Sequence, residues 1–247
     1  MNTASTLRIA TYNIHKGVQG IGPAQRLEIH NLAHAVQQFD ADLICLQEVR
    51  SHHRKLARRF QKDRWPDEGQ ADYLLPPGYE AVYRTNAFTR HGEHGNALLT
   101  RWPVAAVAHE DVSDHRFEQR GLLHVRVTVH GQPVHVLVVH LGLLAASRER
   151  QVQRLGAYVQ RVIPLDQRLV VAGDFNDWGG RLHQPMAALG LHTFEGIRLA
   201  TFPSRLPVLH LDRVYVRGLQ PLHAHVPHGG SWSRMSDHLP LVATFRL

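Results

Sequence analysis

The sequence predicts an α/β fold with a two-sheet core and helices on the outside, formed by a single domain over residues 1–247. Three observations carry this expectation. Short runs rich in Val, Ile or Leu recur along the chain, bounded by Gly, Pro, Asp or Asn. Only a few segments show helical apolar spacing. No linker, repeat or low-complexity tract divides the chain.

The strand-like runs are residues 7–13, 43–47, 79–83, 97–100, 122–129, 134–140, 169–173, 211–216 and 241–245. From Leu123 to Val129 apolar and polar residues alternate, as in a strand buried on one face. His130-Gly131-Gln132-Pro133 separates this run from the next and reads as a hairpin turn. Val170-Val171-Ala172 is continuously apolar, as in a strand buried on both faces. Helices are expected at 26–38, 147–161 and 184–189. In the first, Leu27, Leu32, Ala35 and Val36 share one side. In the second, Ser147 is the expected N-cap, Glu149 falls in the first turn, and Leu155, Val159 and Val162 recur at helical spacing. Two segments read as insertions or long loops. Residues 51–64 carry Arg54, Lys55, Arg58, Arg59, Lys62 and Arg64, with Leu56, Ala57 and Phe60 placed as in an amphipathic helix. Residues 86–95 are polar and hold His91, Glu93 and His94.

Composition narrows the function classes. Hydrophobic residues are 43% and charged residues 20%, which is globular and excludes general disorder. The lone Cys45 excludes an internal disulfide framework, and its apolar neighbours make it a buried, inert thiol. The polar N-terminus lacks the apolar core of a signal peptide, and no run is long enough to span a bilayer. A soluble, cytoplasmic protein is therefore expected. The formal charge of +7, with 20 histidines besides, points to anionic partners: nucleic acid, phospholipid headgroups or phosphorylated small molecules.

The chemistry concentrates where apolar runs end. Asn13, Glu48, His140, Asp174 with Asn176, Asp212, and Asp237 with His238 all follow or flank strand-like runs. Alone, each is readily a turn residue or a surface charge. Together they form a complementary inventory on the edge where α/β sites gather. Carboxylate and amide oxygens suit Mg²⁺ or Mn²⁺. A histidine beside an acid is oriented by it, and a second histidine can donate to phosphoryl oxygens. Asp174 and Asn176, two apart, can face one reacting water. The set suits metal-assisted phosphoester hydrolysis.

The motifs Thr11-Tyr12-Asn13-Ile14-His15-Lys16-Gly17, Leu46-Gln47-Glu48-Val49-Arg50, His94-Gly95-Asn96-Ala97-Leu98-Leu99, Gly173-Asp174-Phe175-Asn176-Asp177, Leu211-Asp212-Arg213-Val214 and Ser236-Asp237-His238-Leu239-Pro240 occur in this order. In that order they resemble the endonuclease/exonuclease/phosphatase (DNase I-like) superfamily, over essentially the whole chain. The nearest resemblance is to small bacterial members of uncharacterised substrate. The resemblance implies a four-layer α/β sandwich with two central, mostly antiparallel sheets flanked by helices. It implies that Glu48 is the principal metal carboxylate, with Asn13 and Asp237 beside it, for Mg²⁺ or Mn²⁺. Asp174 and Asn176 resemble the pair that orients or deprotonates water. His238 resembles the histidine on the scissile phosphate, and Asp212 its orienting acid. His140 matches a second catalytic histidine where abasic endonucleases carry tyrosine, which argues against that activity. Arg50, Asn96 and Arg120 are further candidates for substrate phosphate contact, Asn96 also as an orienting residue.

Three rivals stand beside this reading. His223-Ala224-His225-Val226-Pro227-His228, with His91 and His94, has the look of a zinc site. Ser236-Asp237-His238 names a serine triad, but adjacency in sequence does not build one and no nucleophile elbow is present. The basic segment 51–64 suits a non-catalytic protein that binds nucleic acid or anionic lipid. Among phosphoester substrates DNA is favoured by Arg54, Lys55, Arg58 and Arg59. A phospholipid or small phosphodiester, with contact to an anionic membrane surface, follows close behind.

Overall fold

A computed structural model describes residues 5–194, 196–197 and 199–247; residues 1–4, in the polar N-terminal segment read above, lie outside the described residues. Two sheets form the core. The first contains β1 (Thr6–Asn13), β4 (Leu43–Val49), β5 (Glu80–Thr89), β6 (Gly92–Thr100), β12 (Gln220–His225) and β13 (Leu241–Arg246), in the order β12-β13-β1-β4-β6-β5. The second contains β7 (Val104–Asp111), β8 (Gly121–Val129), β9 (Gln132–His140), β10 (Arg168–Asp174) and β11 (Asp212–Arg217), in the order β11-β10-β9-β8-β7. Each sheet has one parallel pair, β1 with β4 and β9 with β10. The other neighbours run antiparallel. A small ribbon, β2 (Val18–Gln19) with β3 (Arg26–Leu27), stands apart.

Strand alternation sorts the side chains into layers. Leu7, Ile9, Leu43 and Cys45 face the second sheet and meet Val125, Val136, Val138, Val170 and Val214. Ala10, Tyr12, Ile44 and Leu46 face outward, against Leu32 and Val36 of α1 (Ile29–Gln38), Ala71 of α3 (Gln70–Tyr73) and Met235 of α6 (Trp232–Met235). On the other side Leu137, Val139, Leu169 and Val171 face α4 (Ala145–Val162) and α5 (His183–Ala188). The result is the four-layer sandwich expected from the motifs. Each fully buried Val, Leu or Ile contributes roughly 1.5–3 kcal/mol of transfer free energy, so the inter-sheet layer and both sheet–helix layers all support the fold. Burial also pushes the Cys45 thiol pKa up, as an inert thiol requires.

All nine strand-like runs lie in or overlap strands, but several local readings change. Residues 86–95 are the arms of the β5–β6 hairpin, not a long loop. Alternating partial exposure at its tip hid the pattern. Strands β7 and β12 lack a clear period because both are edge strands that bury little, and β12 also carries Pro221. Arg26–Leu27 belong to β3, so the first helix starts later than expected. Helix α4 starts upstream of Ser147, which lies inside it, buried, and donates to Asp114 Oδ2. Glu149 is therefore past the first turn. Val162 is exposed because the helix ends there. The helix start is instead anchored by Arg148, which donates to the Gly142 and Leu143 carbonyls. The basic segment 51–64 does form a helix, α2 (Arg54–Arg59), with Leu56 and Phe60 packed on Val18 and Trp65.

The parallel pairs decide where the chemistry sits. They bring the carboxyl ends of β1, β4, β9 and β10, and the starts of the antiparallel strands β11 and β13, to one edge of the sandwich.

Candidate active site

Asp174 ends β10 directly across from His140, which ends β9. The preceding Gly173 makes this close approach feasible: a Cβ there would lie 1.9 Å from the Val139 carbonyl oxygen, at φ +153. Asp174 is the hub of the site. Its Oδ1 accepts from the Asn176 amide at 2.9 Å. Its Oδ2 accepts from Asn13 Nδ2 of the other sheet at 3.1 Å. The same oxygen lies 3.5 Å from His140 Nε2 and 3.6 Å from His238 Nε2. Asp212, at the start of β11, accepts from His238 Nδ1 at 2.8 Å. Ser236 ties the segment in place: its hydroxyl donates to the Asn13 carbonyl at 2.7 Å, and the His238 amide donates to that hydroxyl. Asn176 spends Nδ2 on the Leu141 carbonyl at 2.9 Å, which locks the loop after β10 to the loop after β9.

The two histidines are driven to opposite charge states. Burial would lower the His238 pKa, but Asp212 first, then Asp174 and Asp237, outweigh it and hold it up at about 10. Burial, followed by Arg120, drives His140 well below its usual value, so its imidazole is neutral. Burial raises Asp174 to about 6 despite the opposing pull of His238. Paired groups pushed apart in this way suit acid and base chemistry.

On the first sheet a bulge in β4 sets Glu48. Leu46 and Val49 face Ala97 and Gly95, so β4 has one residue to spare, and Glu48 takes φ +57. Its Oε2 lies 2.6 Å from Lys16 Nζ. His15 Nδ1 lies 3.1 Å from Asp237 Oδ1. His15 and Lys16 also have positive φ, as does Asn176 on the opposite lobe, so strained non-glycine backbone clusters at this edge. Burial would raise Glu48, but Lys16, by its charge and its hydrogen bond, pulls it below the usual carboxylate range. Asp237 is lowered too, because its bond to His15 outweighs burial. Two ionised carboxylates, one facing Lys16 and the other His15, offer the hard oxygen donors that a divalent cation takes. Among the described residues, Asp174, Asp212 and His238 also bring ligand atoms within 4.8 Å of one another. There, however, His238 Nδ1 is committed to Asp212, and a protonated histidine repels a cation. The carboxylate pair on the first sheet is the better fit.

The remaining candidates divide. Arg50 has Nε and Nη1 buried without partners, and Arg120 has Nε in the same state. Burial lowers Arg50 to about 10, with Glu48 opposing. His94 is lowered to about 4 by burial and then by Lys16, Arg120 and Arg50. Unpaired guanidinium donors beside the site suit an anionic ligand. Asn96, by contrast, is fully buried and donates to the Gly121 and Val138 carbonyls. That placement makes it a tie between the sheets rather than a phosphate contact. Of the basic helix, Arg59 is spent on the Gly22 and Pro23 carbonyls. Among the described residues the histidines of the zinc rival join no three-ligand group: His223 and His225 pair their rings on β12, and His228 bonds the Val226 carbonyl. Sequence reasoning quoted His15 and Lys16 without a role. Their signal was proximity to Asn13 followed by a permissive Gly17 (φ +69), and only the fold shows which carboxylates they meet.

Comparison with known proteins decides the family. The profile of the Endonuclease/Exonuclease/phosphatase family matches residues 10–238. The chain belongs to this family. It is similar to the uncharacterised protein YbhP of Escherichia coli K12, at 34% identity over 98% of this chain and 97% of that protein. In structure this family member is similar to an endonuclease/exonuclease/phosphatase from Bacteroides vulgatus, with a TM-score of 0.73 and 16% identity, covering 98% of this chain and 99% of that one. It is also similar to D. rerio TDP2 complexed with single-strand DNA product, with a TM-score of 0.66 and 16% identity, covering 98% and 100%. The family acts on phosphoesters, and its members are hydrolases that generally use a divalent metal.

Proposed function

We propose that this chain is a divalent-metal-dependent phosphodiesterase. The observation that carries the reading is the buried chain Asp212–His238–Asp174–Asn13, which crosses from one sheet to the other at the family edge. Asp174 takes the proton from water, with Asn13 fixing Oδ2 and the Asn176 amide fixing Oδ1. The water oxygen joins phosphorus in line with the leaving oxygen, whose P–O bond breaks. His238, held by Asp212, donates Nε2–H to the phosphoryl oxygens, and His140 lines the opposite side of Asp174. Arg50 and Arg120 offer their buried donors to substrate phosphate.

Glu48 with Asp237 and Asn13 would hold Mg²⁺ or Mn²⁺, which supplies charge neutralisation at phosphorus. The net charge of +7 supports a polyanionic substrate and fits nucleic acid as readily as anionic lipid. The DNA complex of the TDP2 neighbour supports including DNA among the substrates assayed.

The test is turnover of bis(p-nitrophenyl) phosphate with Mg²⁺ or Mn²⁺, with and without EDTA. Metal-dependent turnover lost in Asp174→Ala is expected. Wild-type inactivity with either metal, or full activity in EDTA, would overturn the reading.

A further inference from the structure

The loops that frame this edge expose large apolar side chains on both flanks of the site. On one flank Phe117 is 82% exposed, Phe88 73%, Leu144 61% and Leu143 60%. The segments that carry them are tied together by hydrogen bonds. The Phe88 amide donates to Gln119, and the Leu143 amide donates to Glu118, so the 112–120 loop joins the hairpin tip to the segment after His140. On the other flank Trp178 and Leu206 are exposed, and Val208 is half exposed. They too are joined: the Trp178 ring meets Phe202, whose ring packs on His238, and the Val208 amide donates to the Phe202 carbonyl. Antiparallel pairing places the ends of β5 and β7 and the start of β11 at the same edge as His140 and Asp174, so the segments carrying both sets of side chains frame the site's edge.

Cations are interleaved with these side chains. Arg116 lies over the Phe117 ring at 4.7 Å, and Arg90, Arg181 and Arg205 are exposed nearby in sequence. The neighbouring carboxylates are already engaged: Glu118 with Arg120, Asp114 with Arg150, and Asp177 with the Arg181 and Leu182 amides. The rim is therefore apolar and outwardly cationic.

We propose that this rim seats the chain on an anionic phospholipid bilayer, with the active-site edge turned toward the headgroup phosphates. The proposal rests on the phosphodiesterase reading only for what happens after docking, where it narrows the substrate to a lipid phosphodiester. Two features select a bilayer over a polynucleotide. Leu143, Leu144, Leu206 and Val208 are aliphatic, and such side chains gain free energy by leaving water, whereas bases need π-faces to stack on. The arginines lie among the apolar tips, as in surfaces that combine insertion with attraction to anionic lipid. Among the described residues no helix is long and apolar enough to cross a membrane.

The test is co-sedimentation of the full chain with phosphatidylcholine vesicles, with and without phosphatidylglycerol. The wild type is compared with Phe117→Ser and with the double variant Leu143→Ser/Leu144→Ser. Binding to phosphatidylglycerol vesicles, weakened about tenfold or more in each variant and reduced by salt, is expected. Turnover of bis(p-nitrophenyl) phosphate in solution should be unchanged in these variants, which shows that they fold and separates docking from chemistry. Absence of vesicle binding by the wild type, or binding equal in all three proteins, would overturn the proposal. So would substitutions that weaken single-stranded DNA binding, or abolish self-association, while leaving vesicle binding intact.

Discussion

The two halves of the sandwich share a plan and differ in chemistry. In each, a parallel strand pair is joined through a helix, β1–α1–β4 in one and β9–α4–β10 in the other, and an antiparallel strand, β13 or β11, lies beside the pair. In each, functional side chains end the parallel strands. The first half presents Glu48 and Asp237, partly open to solvent and facing Lys16 and His15 from the segment after β1. The second presents Asp174, Asp212 and His140, buried and joined through His238 with no lysine among them. One scaffold thus builds a wet lobe suited to exchanging cations and a dry lobe suited to holding a proton in place. Desolvation is what separates them: it strengthens every interaction around Asp174, while solvent screens those around Asp237.

The sharpest way to break this contrast is within the dry lobe. Asp174→Ala or His238→Ala should lower kcat on a soluble diester by about 1,000-fold or more, with the melting temperature and circular dichroism spectrum close to wild type. Retained turnover in either would show that the dry lobe is not where the proton is handled. Asp212→Asn keeps the shape but removes the charge that holds His238 protonated. A loss of about 100-fold is expected, with KM nearly constant, read from steady-state kinetics.

Gly173→Ala tests the close approach of β10 to β9 that sets Asp174 within the dry lobe. The collision with Val139 should cost about 2 kcal/mol or more, measured as a lower urea midpoint. In the wet lobe, Lys16→Met should tighten Mn²⁺ binding several-fold by calorimetry, because the ion no longer competes with an ammonium at Glu48. The urea midpoint should fall as well, because the mostly buried Glu48 loses the cation that faces it. Unchanged Mn²⁺ affinity would place the ion elsewhere.

The smallest effect is in acid. Away from the site, His124 joins Tyr158 and His135, and His135 joins Gln167. Burial, then His135, lowers His124 to about 4, and burial lowers His135 as well. The unfolded chain therefore binds more protons than the folded one below about pH 6.5. The contribution of this histidine pair to stability should be constant above that point and fall as pH drops toward about 4. Urea melts across this window test it, and His124→Gln should flatten part of the slope.

The strands that bury both faces were legible in the sequence, because a residue such as Val170 has no solvent side to mark with polarity. Edge strands β7 and β12 were not, since a strand paired on one side needs little apolar surface. The reading of Ser147 as a cap failed for a related reason: its hydroxyl met Asp114, far away in sequence, and tertiary contact overrode local preference. At the site, Asn13, Glu48, His140, Asp174, Asp212 and His238 were visible as polar residues closing apolar runs. Lys16 was not assigned, because a lysine in a loop carries no mark of the carboxylate it will face.

The sequence by itself determined the inventory and its order: which side chains end which strands, and which faces those strands bury. These follow from local alternation, which needs only near neighbours along the chain. The tertiary structure alone decided which members of the inventory touch, and so their charges. His140 and His238 are the same residue type at the same edge, yet one is neutral and the other protonated. The physical reason is that electrostatic energy depends on distance and burial, and both arise only when Asp212, Asp174 and Arg120 arrive from separate strands and loops.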